Sequence, residues 1–470
     1  MKRLSRLSCV LLACTLPVSG LFVYSQKKAA PAGQTAPSAK TVRLDFKDLK
    51  LQNGLRVIIA EDHTAPVISL AMTYNVGSRN ERQGRTGFAH LFEHMMFKGS
   101  ENVGSGEHMY LVYNNGGQMN GSTSEERTNY FEELPANQLD LALFLESDRM
   151  RTLPSAITKE NLDNQRSTVQ EERRQGLDNQ PYGKSMEKFQ ETMYDNFAYK
   201  HSVIGSMEDL NAASVEDVKE FFRIYYAPNN VVLSLVGDFK ADEALAKVRK
   251  YFESIPSQPA PPAVDTAEPQ QTGERSFTLE DPLARVPRLV MGYKGIVGNT
   301  PDIYAMRVLN QALTAGQSSR LYQKLVKDKE LATTVFGSID EKRGVGGYLI
   351  QAMLVPGKSF GDVQAVVDAE IAGLQKEPIA DWELEKAKNS SRRSSIQSLQ
   401  STLGAAVMLG QYAVFYNDPN LINTQFQKIA AVTKEDVQRV ANKYLKVEYR
   451  TVCETVPKGG MSKPAAAAAR

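Results

Sequence analysis

Apolar positions follow two rhythms along the first half of the chain. In "VRLDFKDLKLQNGLRVIIAED", residues 42–62, they alternate with polar ones on either side of Asn53-Gly54. Alternation predicts two strands, and Asn-Gly between them predicts a hairpin turn. "VISLAMTYNVG", residues 67–77, predicts a third strand. The rhythm then changes. "FAHLFEHMMFKGS", residues 88–100, is an almost unbroken apolar run, which predicts a helix stopped near Gly99. "GGQMNGSTSEERTNYFEELP" returns to strand-like order, and residues 136–152 and 158–177 are predicted helices. "NNVVLSLVGDF" predicts a strand and "ADEALAKVRKYFESI" an amphipathic helix.

Residues 256–274, "PSQPAPPAVDTAEPQQTGE", are Pro-rich and polar and predict a flexible linker between domains. Beyond it the pattern repeats at an offset of about 219 residues: "MTYNVG" from Met72 matches "MGYKGI" from Met291, and "SVEDVKEFF" from Ser214 matches "TKEDVQRVA" from Thr433. A duplicated domain is expected, with copies at 42–255 and 275–456 and a disordered tail at 457–470. Strands and helices do not alternate strictly, so the class expected is α+β.

A length of 470 residues suits two domains. Hydrophobic residues at 42% and charged residues at 23% describe an ordinary globular protein, and a net charge of +2 gives no electrostatic reason for a nucleic-acid partner. The N-terminus carries Lys2, Arg3 and Arg6 ahead of the apolar run "LSCVLLACTLPVSGLFV". This predicts an export signal at residues 1–25, cleaved after Ser25, followed by a low-complexity spacer at 26–41. Two alternatives stand beside it: a lipoprotein modified at Cys14, or an uncleaved membrane anchor. Cleavage leaves Cys453 as the one cysteine, so any metal must be held by histidine and carboxylate.

That requirement directs attention to His90, Glu93 and His94 inside the apolar helix. Positions i and i+4 share one helix face, roughly 5–6 Å apart at Cβ. Two imidazoles there can reach one Zn²⁺ at roughly 2.0–2.1 Å, and Glu93 points into the same space, placed to take a proton from water. At the repeat offset the three positions become Leu309, Ala312 and Leu313. The helix can therefore be built from apolar residues alone, which weakens a packing role for the triad. Zinc enzymes commonly use a third protein ligand. His63, His108 and His201 are isolated, and the helix at 158–177 offers Glu171 and Glu172, between which spacing does not choose.

With these residues the chain resembles the pitrilysin / mitochondrial processing peptidase family of inverted-motif (H-x-x-E-H) zinc peptidases, over roughly residues 45–455. "GFAHLFEHMMFKGS" is close to the family's wording. "VQEERRQGLDNQP" is similar to the segment bearing its third zinc ligand, which implies Glu172. A family glutamate seven positions earlier supports the site, and Gln165 stands there in this chain. "GGQMNGSTS" resembles the family's substrate-binding edge strand, implying that Asn120 contacts a peptide's backbone. The resemblance implies two domains closing as a clamshell around a chamber. It implies one Zn²⁺ held by His90, His94 and Glu172, with Glu93 as general base, in a zinc metalloendopeptidase acting on peptides or unfolded segments in the periplasm. Active members supply an Arg and a Tyr seven residues apart from the second half, and this chain has Val326 and Thr333 at those positions. A homologous partner subunit that carries the pair and lacks the zinc motif is therefore expected, or else a homodimer. The alternatives are a non-catalytic structural subunit and a periplasmic peptide-binding module.

Overall fold

The structure, a computed structural model, describes residues 43–459. The predicted export segment, the lipidation alternative at Cys14, the spacer to residue 41 and the tail from residue 460 lie outside them. No helix among the described residues is long and apolar enough to cross a membrane.

The first half forms β1 (Lys47–Lys50), β2 (Arg56–Glu61), β3 (Val67–Tyr74), α1 (Phe88–Met95), α2 (Glu107–Asn114), β4 (Gln118–Thr123), β5 (Thr128–Pro135), α3 (Leu139–Thr152), α4 (Lys159–Arg173), α5 (Gly183–Met193) and β6 (Val231–Gly237), with short helices between α5 and β6. Its strands make one sheet in the order β1-β2-β6-β3-β5-β4. The hairpin predicted at Asn53-Gly54 is present, and Gly54 takes the left-handed φ of 90° that the turn needs. The second half forms β7 (Arg275–Asp281), β8 (Arg288–Val297), β9 (Ala332–Asp340), β10 (Val345–Leu354) and β11 (Arg450–Pro457), ordered β7-β11-β8-β10-β9. This is the first sheet's order without β1. Moved along the chain by the repeat offset, β2 falls on β7, β3 on β8 and β6 on β11. Parallel pairs (β2 with β6, β7 with β11) sit among antiparallel ones, and helices lie apart from the strands, an α+β architecture.

Each sheet has both faces covered, and accordingly β3 is buried from Ile68 onward and β6 along its whole length, with Ser69, Thr73 and Ser234 among otherwise mostly apolar residues. Alternate residues Leu70, Met72, Tyr74, Leu233 and Leu235 face the first half's own helices. The opposite face, with Ile58, Ala60, Ala71, Val232 and Val236, is covered by the helix Thr402–Tyr416 of the second half through Ala405, Ala406, Leu409 and Ala413. Gly410 permits that approach, since a Cβ there would stand 2.4 Å from Thr73 Oγ1. The exchange is mutual. Helix α5 of the first half packs Phe189 and Met193 on Val290 and Cys453 of the second sheet. There the strand supplies the glycine: a Cβ at Gly292 would stand 2.5 Å from Phe189 Cζ.

Between these helices the β4–β5 turn of one half meets the β9–β10 turn of the other. Lys342, only 2% exposed, reaches Glu125 at 3.1 Å and Asp340 at 2.8 Å. Arg343 donates to Glu126 at 2.6 Å, and Tyr199 donates to the other oxygen of Glu126 at 2.6 Å. The Pro-rich segment expected as a flexible linker runs between the two sheets but is pinned. Glu268 accepts from the backbone of Asp195 and Asn196 and pairs with Lys294, and Gln271 donates to the Arg450 carbonyl.

Behind the β4–β5 edge lies a buried polar cluster of His108 on α2, Glu132 on β5, and Glu146 and Arg149 on α3. Arg149 grips Glu146 through two nitrogens and stacks over the Tyr130 ring at 4.4 Å. Burial pushes the Glu132 carboxyl up to about 8, against the pull of Arg149, so Glu132 is held neutral. An acid whose pKa is raised by folding takes up a proton on folding between its unfolded value and about pH 8, so its contribution to stability falls as pH rises through that window. Urea unfolding from pH 5 to 9 is therefore expected to lose stability with rising pH in the wild type, with a flatter slope in Glu132→Gln. Equal slopes would rule out this account of Glu132.

Candidate metal centre

The site starts from the first residue of α1. Gly87, with φ of 83°, precedes the helix and offers no side chain to cap it. Glu81 does so from a distance: its carboxylate accepts the backbone N–H of Gly87 at 2.9 Å and of Ala89 at 2.7 Å. Acidic charge at a helix N-terminus also suits the helix dipole. Glu81 is in turn held by His201, whose Nε2 lies 2.9 Å from Oε2 while Nδ1 meets the Phe197 carbonyl at 2.7 Å. An isolated histidine of the sequence thus supports the start of the helix that carries His90, Glu93 and His94.

Helix α1 buries Phe88, Ala89, Leu91, Phe92 and Met95 against the first core and turns His90 and His94 towards α4. The imidazole centroids are 4.8 Å apart. Glu172 reaches them from the last turn of α4: its Oε2 lies 3.6 Å from His90 Nε2 and 3.3 Å from His94 Nε2. Glu171, the other candidate, points outward to Arg174 and Gln175. The three ligand atoms converge within 4.8 Å of one another. Side-chain exposures of 18% for each histidine and 44% for Glu172 leave the point of convergence open to solvent.

The donor set fits zinc. Two imidazoles and a carboxylate are the ligand types Zn²⁺ takes at catalytic sites. Burial, reinforced by the neighbouring His94, pushes His90 down to about 4 and keeps it neutral, which is the form that ligates. The His108 cluster does not fit as well, because Arg149 already occupies Glu146 and sets a cation beside the imidazole.

Glu93 lies on the same helix face, 8% exposed. Burial pushes it up to about 7, opposed by a 2.6 Å hydrogen bond from Thr123 Oγ1 and by the charge of Arg127. Asn120 lies on β4, the outermost strand of the sheet, so its neighbourhood offers an unpaired backbone edge; its own Oδ1 accepts from the Gly121 N–H. Gln165 is buried on α4, two turns before Glu172, and its amide donates to Asn164; it makes no hydrogen bond to either histidine. Val326 packs against the second core, and Thr333 is exposed on β9. Glu81, Thr123, Arg127 and His201 were not legible as site residues in the sequence; His201 was visible only as an isolated histidine.

Fold and site together present a duplicated α+β scaffold whose first half carries a solvent-open cluster of two histidines and a carboxylate. Residues 56–206 match the model described as Insulinase (Peptidase family M16), and residues 212–391 match the one described as Peptidase M16 inactive domain. The chain is 31% identical over 403 residues to the zinc protease PqqE of Helicobacter pylori, covering 85% of this chain and 90% of that protein. It is 23% identical to a probable mitochondrial-processing peptidase subunit beta of Arabidopsis thaliana, covering 84% and 75%. The crystal structure of a protease from Helicobacter pylori superposes with a TM-score of 0.84 at 31% identity, covering 88% of this chain and all of that one. The periplasmic protease PqqL from Escherichia coli shares the fold, with a TM-score of 0.71 at 18% identity, over 88% of this chain and 48% of that one. The chain belongs to the M16 family of peptidases.

The cap on α1 gives a direct test. Glu81→Ala leaves two buried helix N–H groups without an acceptor and is expected to cost about 1–3 kcal/mol of stability, and to weaken zinc binding. Glu81→Gln, which keeps an acceptor, is expected to lose less. Thermal unfolding and zinc titration measure both, and an Ala variant as stable as wild type would remove Glu81 from the support of the site.

Proposed function

We propose that the chain is a zinc-dependent endopeptidase that cleaves peptides or unfolded segments. The observation that carries this reading is the convergence of His90, His94 and Glu172 on one solvent-open point, with the Glu93 carboxylate on the same helix face. These three side chains would hold one Zn²⁺. When bound, zinc supplies Lewis acidity, polarising a carbonyl and acidifying water. Glu93 takes the proton from the attacking water and hands it to the leaving amine. A peptide adds to the free edge of β4 as a further strand, paired through main-chain hydrogen bonds with Asn120 alongside. Gln165 supports Glu172 through the packing of α4 rather than through charge.

Val326 and Thr333 offer neither a cation nor a phenol to a substrate. A homologous partner subunit carrying an Arg/Tyr pair, or a second copy in a homodimer, would complete the chamber. The basic and apolar start of the sequence supports export to the periplasm, the compartment named for the related Escherichia coli protease. The same two positions favour one rival, a non-catalytic subunit that retains the metal ligands.

Hydrolysis of a mixed library of unstructured peptides, read by mass spectrometry with a chelator control, separates the two. Chelator-sensitive internal cuts are expected, faster in the presence of the partner. Glu93→Gln should keep its zinc and lose about 10²- to 10⁴-fold in turnover. Loss of zinc in that variant would mean that Glu93 is a ligand. Absence of cutting by zinc-loaded chain and partner together would favour the non-catalytic reading.

A further inference from the structure

The strand offered to the peptide and the base offered to water are in direct contact. β4 crosses α1 so closely that a Cβ at Gly121 would stand 2.9 Å from Glu93 Oε1 and 3.0 Å from its Cγ. Two residues along, Thr123 Oγ1 donates to Glu93 Oε2 at 2.6 Å. This is the hydrogen bond that the Glu93 carboxylate makes among the described residues, and it leaves Oε1 free. A glutamate side chain has three rotatable bonds, so without an anchor its carboxylate samples several directions.

Thr123 is itself held in place. Its hydroxyl lies 3.4 Å from Thr128 Oγ1, and the Thr128 hydroxyl donates to the Val76 carbonyl. Arg127 clamps the end of β4 to β5, with Nη1 donating to the Ser122 carbonyl at 2.7 Å, Ser122 Oγ at 2.6 Å and Asn129 Oδ1 at 2.9 Å. With the Thr128 proton committed to a backbone carbonyl, the Thr123 proton is free to point at Glu93.

We infer that Thr123 is a positioning residue that ties the aim of Glu93 to the edge strand. This rests on the reading of the centre as a peptidase. A peptide pairing with β4 steadies the backbone that carries Thr123, and through that hydroxyl it steadies the base. The joint is made within one chain and does not depend on the residues missing at Val326 and Thr333.

The test uses the full zinc-loaded chain, with its partner if activity requires one. Thr123→Val keeps the shape and removes the hydroxyl, and Thr123→Ser restores it. Zinc per chain is measured by mass spectrometry, kcat and KM on an unstructured peptide, and the Glu93 side chain by crystallography of zinc-loaded Thr123→Val. Expected are one zinc in every variant, a kcat about tenfold to a hundredfold lower in the Val variant with KM within about twofold, recovery in the Ser variant, and a rotated Glu93 carboxylate in the crystal. An unchanged kcat, a rise in KM alone, loss of zinc, or a Glu93 that stays in place would each overturn the inference. If wild-type protein cuts nothing, the peptidase reading fails, and the crystallographic position of Glu93 still decides whether Thr123 aims it.

Discussion

Neither sheet can cover itself, and the structure depends on that constraint. Five of the first sheet's strands are rebuilt in the second, each sheet has two buried faces, and each half's own core lies on one of them. Leaving the second face in water would expose Ile58, Val232 and Val236 in one half and Val290 in the other, at roughly 1.5–3 kcal/mol for each large side chain. The halves solve this by lending each other a helix. The repeat offset carries the start of α5 onto the start of the helix Thr402–Tyr416, so the loan is made by equivalent segments in both directions. Close approach is secured by a glycine in each case, on the strand at Gly292 and on the helix at Gly410.

The charged junction between the loaned helices explains how this packing reaches the candidate metal centre. Glu125 and Glu126 lie in the turn between β4 and β5, and Lys342 and Arg343 fix them from the other half. Removing one partner of such a buried pair typically costs about 3–5 kcal/mol, because a charge is left uncompensated. The turn is thus held where Thr123 and Arg127, at either end of it, can act on Glu93. The second half has no centre of its own, since apolar residues occupy the equivalents of the triad and Ser391 stands at the equivalent of Glu172. Its contribution is to cover a sheet and to brace the edge strand.

Much of this was readable along the chain. The duplication follows from segments that match about 219 residues apart. Strands at 56–61 and 67–74 and the helix bearing His90 and His94 follow from residue order, because a side chain's direction in a strand or helix repeats every 2 or 3.6 residues. For the same reason the two histidines and Glu93 could be placed on one face without coordinates. The choice between Glu171 and Glu172 could not be made that way. Both lie at the end of α4, and only the packing of α4 on α1 turns one towards the imidazoles and the other to solvent. The Pro-rich segment read as loose because composition reports chain stiffness and solubility. Its anchors, Glu268 and Gln271, find their partners in distant parts of the chain.

Local periodicity therefore set the elements and put His90 and His94 on one helix face, since each depends on neighbours a few residues apart, and the duplication was legible as matching segments about 219 residues apart. What lies behind a strand, which carboxylate completes the centre, which helix crosses to the other half and what caps α1 depend on residues far apart in sequence. Glu81 meets His201, Thr123 meets Glu93 and Arg343 meets Glu126 only after two sheets have twisted and packed. Those contacts follow from the shape of the whole core, and no short stretch of residues carries that information.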